Sequence, residues 1–323
     1  MAFFRRILLG VALTLLASLS SAFAWMDDGH MAVAYVAYEH LNKPLQARAT
    51  ALLKLNPYYS KWLARIPQDA PPEKKNEMIF MIAATWPDEI KEPGTGYRND
   101  PHSKNGDLTG PDLKLAGRNL GYSDKLCHKY WHFVDTPFST DGTPLPPIPT
   151  PNAQTQIAIF RATLASDATD KLKSYDLVWL LHLVGDVHQP LHCSTRVSHS
   201  DPQGDQGGNK VKICTVSGEC GSNELHAFWD GVPGTDRDIT SAMKYGEALH
   251  AAESPLSRNL DVAAWIAESF NDTKQDVYTG PIQQGDGPFT ITADYQKAAE
   301  KIAQERVALA GLRLANVLKE DLK

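Results

Sequence analysis

Apolar residues recur at steps of three and four along most of the chain, which is the spacing of amphipathic helices. The pattern is clearest near the C-terminus, at Ala303, Val307, Ala310, Leu314 and Val317. It also predicts helices over residues 30–55, 73–86, 154–168 and 176–188. The last of these is apolar on nearly every face, so we expect it to be buried at the centre of the fold.

Prolines bear on the bounds of these helices. Because proline has no N–H to donate inside a helix, we expect Pro44 to break the first helix and Pro87 to end the second. A proline-rich stretch, residues 144–151, leads into the third helix.

Two long connections separate the predicted helices, over residues 93–111 and 194–223. Within the second connection, residues 210–214 alternate between polar and apolar side chains, which predicts one strand of a short β-hairpin. Loops of this length in a compact domain usually carry function or are held by cross-links. We see no internal repeat and no interdomain linker, so the sequence predicts one mainly α domain over residues 25–323.

The first 24 residues have the composition of a secretory signal peptide. Arg5 and Arg6 precede a run over residues 7–19 that is almost wholly apolar, and Ala22-Phe23-Ala24 supplies small residues at the positions that a signal peptidase requires. Cleavage after Ala24 would make Trp25 the first residue of the mature chain. We therefore expect a secreted or periplasmic protein.

The charge balance limits what the surface can bind. The chain contains 32 basic and 38 acidic residues, and two of the basic ones, Arg5 and Arg6, lie in the leader. An acidic surface does not attract polyanions without local help. Any contact with nucleic acid should therefore depend on bound cations rather than on a basic face.

All four cysteines lie after the leader, and an even number in an exported chain favours disulfides. Cys214 and Cys220 flank a five-residue segment that has the composition of a turn, so we expect them to pair. Elimination then pairs Cys127 with Cys193. Zinc binding by thiolates is disfavoured, because no two cysteines have Cys-x-x-Cys spacing.

The spacing of histidine and aspartate points to a metal site. His182 and Asp186 are four residues apart on a predicted helix and should project from one face. His226 and Asp230 repeat this spacing, and His192 follows Asp186 by six residues. Imidazole nitrogens and carboxylate oxygens are the ligands that zinc takes where thiolates are absent.

Together with other motifs, these residues resemble the zinc-dependent single-strand nucleases (the nuclease S-one and nuclease P-one type), whose mainly α fold is shared with zinc-dependent phospholipase C. The resemblance covers residues 25–230, about two thirds of the chain. The matching motifs are Trp25-x-x-x-Gly29-His30, Trp86-Pro-Asp88, Trp131-His132-Phe133-Val134-Asp135, residues 182–192 and residues 223–230.

The resemblance implies three zinc ions. One would be held by Asp88, His132, His182 and Asp186, and a second by His192, His226 and Asp230. The third would be chelated by the α-amino group and carbonyl oxygen of Trp25, with His30 and the far oxygen of Asp186. The amino group becomes available only after the leader is removed.

The resemblance also implies a reaction. A bridging water activated by zinc would attack a phosphodiester of single-stranded DNA or RNA and leave a 5′-phosphate, with 3′-nucleotidase activity on nucleotides. Asp88 and Asp186 would serve this chemistry through the zinc ions. Lys91 would face the transition-state phosphate, Phe133 would stack on a base, and Asp135 would hydrogen-bond the base edge.

Two other functions fit part of the pattern. A zinc-dependent phospholipase C would share the fold and the N-terminal tryptophan, but only four residues separate Trp25 from His30, which is the spacing of the nucleases. A non-enzymatic exported zinc-binding protein would not need an aromatic and a basic residue beside the ligands. We expect a monomer with no stable membrane association, because no exposed amphipathic segment suited to a bilayer is apparent.

Overall fold

The computed structural model describes residues 25–99, 116–282 and 285–322. Eleven α-helices dominate this part of the chain, so the predicted mainly α fold is confirmed. They are α1 (Asp27–Glu39), α2 (Lys43–Leu53), α3 (Tyr59–Arg65), α4 (Lys75–Ala83), α5 (Trp86–Glu89), α6 (Ala153–Ala165), α7 (Asp170–Asp186), α8 (Leu225–Gly231), α9 (Ile239–Ala248), α10 (Val262–Asp272) and α11 (Ala293–Asp321). The predicted leader, residues 1–24, lies outside the described residues. Among the described helices, we find none with the length and apolar character of a membrane span.

Shorter turns connect these helices. Single 3₁₀ turns occur at Pro72–Lys74, Gly121–Ser123, Lys129–His132, Pro190–Cys193, Leu256–Arg258 and Gly280–Ile282, and a π-turn at Thr273–Val277 extends α10. The turns at Lys129–His132 and Pro190–Cys193 each end on or beside a histidine of the candidate site. These histidines therefore stand on short segments that the surrounding helices must hold in place.

Proline acts differently from our expectation in one place. The first predicted helix is broken at residues 40–42, and Pro44 lies in the first turn of α2, where Asn42 caps the helix by accepting a hydrogen bond from Leu45 N at 3.0 Å. The prediction that Pro87 ends a helix is wrong, because α4 already ends at Ala83 and Pro87 lies in the first turn of α5. In a first turn the missing N–H has no helical acceptor to lose.

Strands are few and short. The strands β1 (Pro137–Ser139) and β2 (Thr195–Val197) form a parallel pair. The predicted hairpin is confirmed as β3 (Lys212–Cys214) and β4 (Cys220–Glu224), to which β5 (Phe289–Thr290) adds in parallel with β3. The hairpin is closed by the predicted disulfide between Cys214 and Cys220.

The expected disulfide between Cys127 and Cys193 is wrong. Both side chains are buried thiols. The Sγ of Cys127 donates to the Ile90 carbonyl at 3.4 Å, and that of Cys193 donates to the Val187 carbonyl at 3.3 Å. Burial raises the pKa of Cys193 to about 12, which keeps the thiol protonated as a donor. Pairing by elimination considers only the number of cysteines that remain. In the fold, each of these two thiols instead donates to a backbone carbonyl.

The core has two parts, and the candidate site lies where they meet. The larger part is built mainly from α1, α4, α6, α7 and α11, and α7 is buried at its centre as predicted. The smaller part surrounds β3, α8 and the start of α11. Val187 packs in the larger part and Leu191 in the smaller one, so the short segment between them passes from one core to the other.

Close packing of α1 against α11 yields a test of the fold. A Cβ at Gly311 would lie 2.5 Å from Val36 Cβ and 2.8 Å from the Val33 carbonyl oxygen, so Gly311→Ala must push the two helices apart. We expect this change to lower the free energy of unfolding by about 1–3 kcal/mol in urea titrations. Gly221→Ala is the matched control, because no atom lies within 4 Å of its added Cβ. Equal stability of Gly311→Ala and the wild type would contradict this packing.

Candidate metal centre

Two helices each present a histidine and an aspartate on one face. On α7, His182 Nε2 lies 3.3 Å from Asp186 Oδ2, and on α8, His226 Nε2 lies 3.4 Å from Asp230 Oδ2. All four side chains are buried. The four-residue spacing thus brings each pair together, as helical geometry requires.

The pair on α7 belongs to a first cluster that also includes Asp88 and His132. The Nδ1 of His132 lies 3.0 Å from Asp186 Oδ2 and 2.9 Å from His182 Nε2. The Oδ1 of Asp88, on α5, lies 3.6 Å from His182 Nε2 and 3.8 Å from His132 Nδ1. Four residues from three separate segments therefore direct donor atoms at one small space.

The pair on α8 belongs to a second cluster, completed by His192. The Nε2 of His192 lies 3.1 Å from His226 Nε2 and 3.9 Å from Asp230 Oδ1. The donor atoms of these three residues lie within 4.8 Å of one another, close enough for one metal ion to contact all of them.

His30 places a further nitrogen beside the first cluster. Its Nε2 lies 3.3 Å from Asp186 Oδ1, whereas Asp186 Oδ2 faces His132 and His182. The ring of His30 stacks on that of His182, with centroids 3.7 Å apart. The two oxygens of Asp186 therefore point at different histidines, which is the geometry of a carboxylate that bridges two metal positions.

Trp25 lies beside residues of both clusters. A Cβ at Gly29 would come within 2.6 Å of Trp25 Cβ, so glycine is needed where α1 passes the tryptophan. The next residue, Met26, donates its backbone N–H to the Asp230 carbonyl at 2.9 Å. The side chain of Trp25 is fully buried, so it is not part of a frayed terminus.

Hydrogen bonds at the Nδ1 atoms of three histidines fix the orientation and protonation of the Nε2 atoms that face the clusters. The Nδ1 atoms of His182, His192 and His226 lie 2.7–2.8 Å from the carbonyl oxygens of Ala84, His132 and Gly207. A carbonyl can only accept, so each Nδ1 carries the proton and each Nε2 turns a lone pair inward.

The inward lone pairs fit a cation. In the second cluster, two of them face each other at 3.1 Å, which is unfavourable unless a positive charge lies between them. Next to the first cluster, His30 Nε2 and Asp186 Oδ1 are buried without a hydrogen-bond partner in the described part of the chain. Buried polar atoms without partners are costly, and metal coordination would satisfy them. Nitrogen and oxygen donors of this kind suit zinc.

Burial controls the protonation of the clusters. It lowers the pKa of His30, His132 and His182 well below the usual value, so these imidazoles are neutral and able to bind metal. Burial, with added repulsion from Asp88, raises the pKa of Asp186 well above its usual value. A bound dication would favour the ionised carboxylate and reverse that shift.

Lys91 is not a solvated lysine. Its side chain is 2% exposed, and its Nζ lies 2.6 Å from Asp88 Oδ1. The same oxygen faces His132 and His182, so the ammonium group lies at the edge of the first cluster.

Phe133 and Asp135 line a small surface recess. Both are half-buried, and the other walls are Tyr130 and residues 149–152. The recess adjoins the first cluster, because Phe133 directly follows His132. The backbone N–H of the next residue, Val134, donates to the carbonyl of His192 in the second cluster at 2.8 Å.

The glycine-rich segment over residues 205–209 lies beside the second cluster. Gly207 has φ +58°, and a Cβ there would lie 2.5 Å from the Leu191 carbonyl oxygen. Its own carbonyl accepts from His226 Nδ1 at 2.7 Å. Asp205 is buried and ties the segment together by accepting from the backbone N–H groups of Arg196 and Gly208.

Two supporting residues escape sequence analysis. Gln189 donates to Asp230 Oδ1 at 2.6 Å, a contact across 41 positions that spacing does not indicate. His128 has a carboxylate partner, because Asp124 lies four residues before it and accepts from its Nε2 at 2.9 Å. The four-residue spacing can be seen in the sequence, but here the aspartate precedes the histidine, the reverse of the order in the other two pairs. His128 also stacks on Trp131, directly before His132, at 3.6 Å.

His188 and three of the tryptophans belong to the packing around the clusters. His188 forms hydrogen bonds with the Val184 carbonyl and with Arg313 within the core, so both of its ring nitrogens are engaged away from the clusters. His199 is exposed, and His102 lies outside the described residues. Trp86, Trp131 and Trp229 are fully buried, and each lies within two residues of a cluster residue along the chain.

Comparison with known proteins agrees with this geometry. A family model described as S1/P1 Nuclease matches residues 25–323. Endonuclease 3 of Arabidopsis thaliana is 26% identical over 318 residues, which cover 93% of this chain and 89% of that protein. Endonuclease 4 of the same plant is 26% identical over 326 residues, covering 93% and 90%. Because the family model matches nearly the whole chain, this protein belongs to the S1/P1 nuclease family.

Proposed function

We propose that this nuclease is an exported, zinc-dependent endonuclease that hydrolyses single-stranded DNA and RNA to 5′-phosphate products and also acts as a 3′-nucleotidase. Nucleases of this family depend on metal ions. The observation that carries the proposal is the convergence of inward lone pairs and carboxylate oxygens from five separate segments at two adjoining buried clusters.

We assign three zinc ions to these clusters. The first is held by Asp88, His132, His182 and Asp186, and the second by His192, His226 and Asp230. The third is held by Trp25, through its α-amino group and carbonyl oxygen, with His30 and Asp186. The divided orientation of the Asp186 oxygens supports a shared ligand between the first and third positions. Bound zinc would neutralise the phosphate, activate the attacking water and stabilise the departing 3′ oxygen.

The chain's own residues would orient and stabilise the substrate. Asp88 holds the ammonium group of Lys91 at the edge of the first cluster, where it can approach a phosphate oxygen as negative charge develops there. The first cluster lies in a buried environment, which strengthens such an interaction relative to water. Asp88 would contribute to catalysis by holding Lys91, and both Asp88 and Asp186 would contribute through the zinc ions that they would hold.

Base recognition is assigned to the recess next to the first cluster. Phe133 offers an aromatic side chain for stacking, and Asp135 offers a carboxylate that can accept from a base edge. Stacking on one ring tolerates any base but requires it to be unpaired. This preference accounts for single-stranded substrates on a protein that carries more acidic than basic residues.

Export and activation are linked in this proposal. Residues 1–24 form a leader whose removal exposes the α-amino group of Trp25 in a secreted or periplasmic setting. Until then, the nitrogen of Trp25 belongs to an amide and cannot bind zinc. The protein would therefore acquire its third zinc only after processing.

The alternatives are less well supported. The curated relatives are named endonucleases, which favours nucleic acid over phospholipid as the substrate. A non-enzymatic zinc carrier does not account for the second cluster, where three side chains rather than the four of a structural zinc site converge.

The direct test is metal analysis with a panel of substrates. We expect protein that begins at Trp25 to contain three zinc ions and to cleave single-stranded DNA, RNA and a 3′-mononucleotide, but not phosphatidylcholine. His182→Ala should lose zinc and turnover together. His199→Ala, a change at an exposed histidine, is the control that should keep both. Zinc-free wild-type protein with nuclease activity, or cleavage of phosphatidylcholine alone, would refute the proposal.

The N-terminal ligand can be tested by extending the chain. A fusion that leaves residues before Trp25 should hold two zinc ions and have little activity, with an unchanged thermal midpoint apart from the stabilisation that the third ion provides. Proteolysis that exposes Trp25 in the same sample should restore both the third zinc and activity. If the fusion is fully active before proteolysis, Trp25 does not chelate zinc through its amine.

The stacking role of Phe133 predicts an effect on affinity rather than on chemistry. Because base stacking contributes about 1–3 kcal/mol, Phe133→Ala should raise KM for a short oligonucleotide by about tenfold while kcat stays within a factor of about two. Phe133→Tyr retains a stacking ring and serves as the control. An unchanged KM in Phe133→Ala would exclude stacking at this position.

A further inference from the structure

A short turn joins the two clusters. Residues 187–191, here named the connecting turn, lie between Asp186 of the first cluster and His192 of the second. Helix α7 ends at Asp186, so the carbonyl groups that follow have no helical partners. The distance between the clusters depends on how this turn is held.

The carbonyls of the connecting turn are held by side chains from later in the chain. Besides the nearby Cys193 and Ser194, the side-chain donors come from α10, the π-turn that extends it, or α11. Ser269 Oγ donates to the Val187 carbonyl at 2.6 Å, Arg306 Nε to the His188 carbonyl at 3.3 Å, and Thr273 Oγ1 to the Pro190 carbonyl at 2.7 Å. Three of the five carbonyls in the turn are thus fixed from outside it.

The imidazole of His188 is held at both nitrogens. Its Nδ1 donates to the Val184 carbonyl at 2.7 Å, which leaves Nε2 to accept from Arg313 Nη1 at 2.9 Å. The side chain of Arg313 is fully buried. The middle of the connecting turn is therefore fastened to α11 by a charged hydrogen bond.

Glu268 holds the two arginines in position. Arg313 makes two hydrogen bonds of 2.7 Å to its two carboxylate oxygens, and Arg306 makes one of 3.0 Å. The planar guanidinium group of Arg313 can meet the carboxylate and the imidazole at once, which a lysine ammonium group does less well. The two guanidinium charges are thereby paired with Glu268, and both arginines also donate to His188 of the connecting turn.

We infer that Arg313 and Arg306 are positioning residues for the metal centre, acting through the connecting turn to set the placement of Asp186 relative to His192. This inference rests on the proposed zinc dependence of the two clusters. Neither arginine is assigned as a ligand or as a substrate contact. Their role is to keep the donor atoms at coordinating distance when zinc is scarce.

The test measures zinc retention rather than activity alone. Arg313→Met keeps the length of the side chain but removes its donors and charge. We expect it to release zinc at a free-zinc concentration about 10–100-fold higher than the wild type does in a chelator titration, as is usual for residues that support metal ligands. Turnover at limiting zinc should fall, excess zinc should restore it, and KM for an oligonucleotide should not change. The zinc retention of Arg313→Lys should fall between that of the wild type and that of Arg313→Met.

Arg161→Met is the matched control. Arg161 is a partly buried arginine on α6 that pairs with Asp321 at 2.6 Å and donates to the Leu260 carbonyl, remote in sequence from the connecting turn. The Arg161→Met substitution should lower the thermal midpoint and leave zinc retention unchanged. If Arg313→Met retains zinc as tightly as Arg161→Met does, the inference is overturned and the arginine serves stability only.

A milder variant covers the case in which Arg313→Met does not fold. Thr273→Val preserves the shape of the side chain and removes only the hydroxyl that binds the Pro190 carbonyl next to His192. We expect it to weaken retention of one zinc ion and leave the others in place. Wild-type retention in both Thr273→Val and Ser269→Ala would overturn the inference. A wild-type protein that binds no zinc at all would instead refute the proposed function, and the inference with it.

Discussion

Two histidines whose Nδ1–H groups donate to backbone carbonyls turn their unprotonated Nε2 atoms toward each other inside the protein, and the arrangement of the site depends on this constraint. In the second cluster, two such nitrogens, on His192 and His226, lie 3.1 Å apart, with Asp230 beside them. Burial keeps the nearby histidines neutral and would, without a cation, also favour neutral carboxylates. A bound cation satisfies both groups at once. The fold therefore holds a site that is unfavourable alone and favourable when a metal is bound.

Most of the architecture can be understood as support for that arrangement. Helices α7 and α8 carry a histidine and an aspartate each and α1 carries His30, whereas Asp88, His132 and His192 stand on short segments that cannot hold their own shape. Carbonyl groups from distant parts of the chain, such as those of Ala84 and Gly207, fix the ring orientations. The C-terminal helices then fasten the turn between the clusters through Arg306 and Arg313. Residues that follow the matching motifs, which end at residue 230, thus support the site without being part of it.

The electrostatic design is local rather than global. The chain carries more acidic than basic residues, so its overall charge does not attract nucleic acid. A buried cation, Lys91, is instead held against Asp88 at the edge of the first cluster. Phe133 and Asp135 line a recess next to that cluster. Under the proposed function, this arrangement would suit substrates that place an unpaired base and a phosphate together.

The sequence by itself determined whatever depends on local spacing. Helical periodicity located the main helices, the four-residue intervals paired His182 with Asp186 and His226 with Asp230, and the turn between Cys214 and Cys220 indicated their disulfide. Only the tertiary structure decided what depends on contacts between distant segments. It kept Cys127 and Cys193 apart as thiols, brought Gln189 to Asp230, and directed Arg313 at His188. The physical reason is that helix geometry fixes neighbours within a turn, whereas partners far apart in sequence are set by how the helices pack.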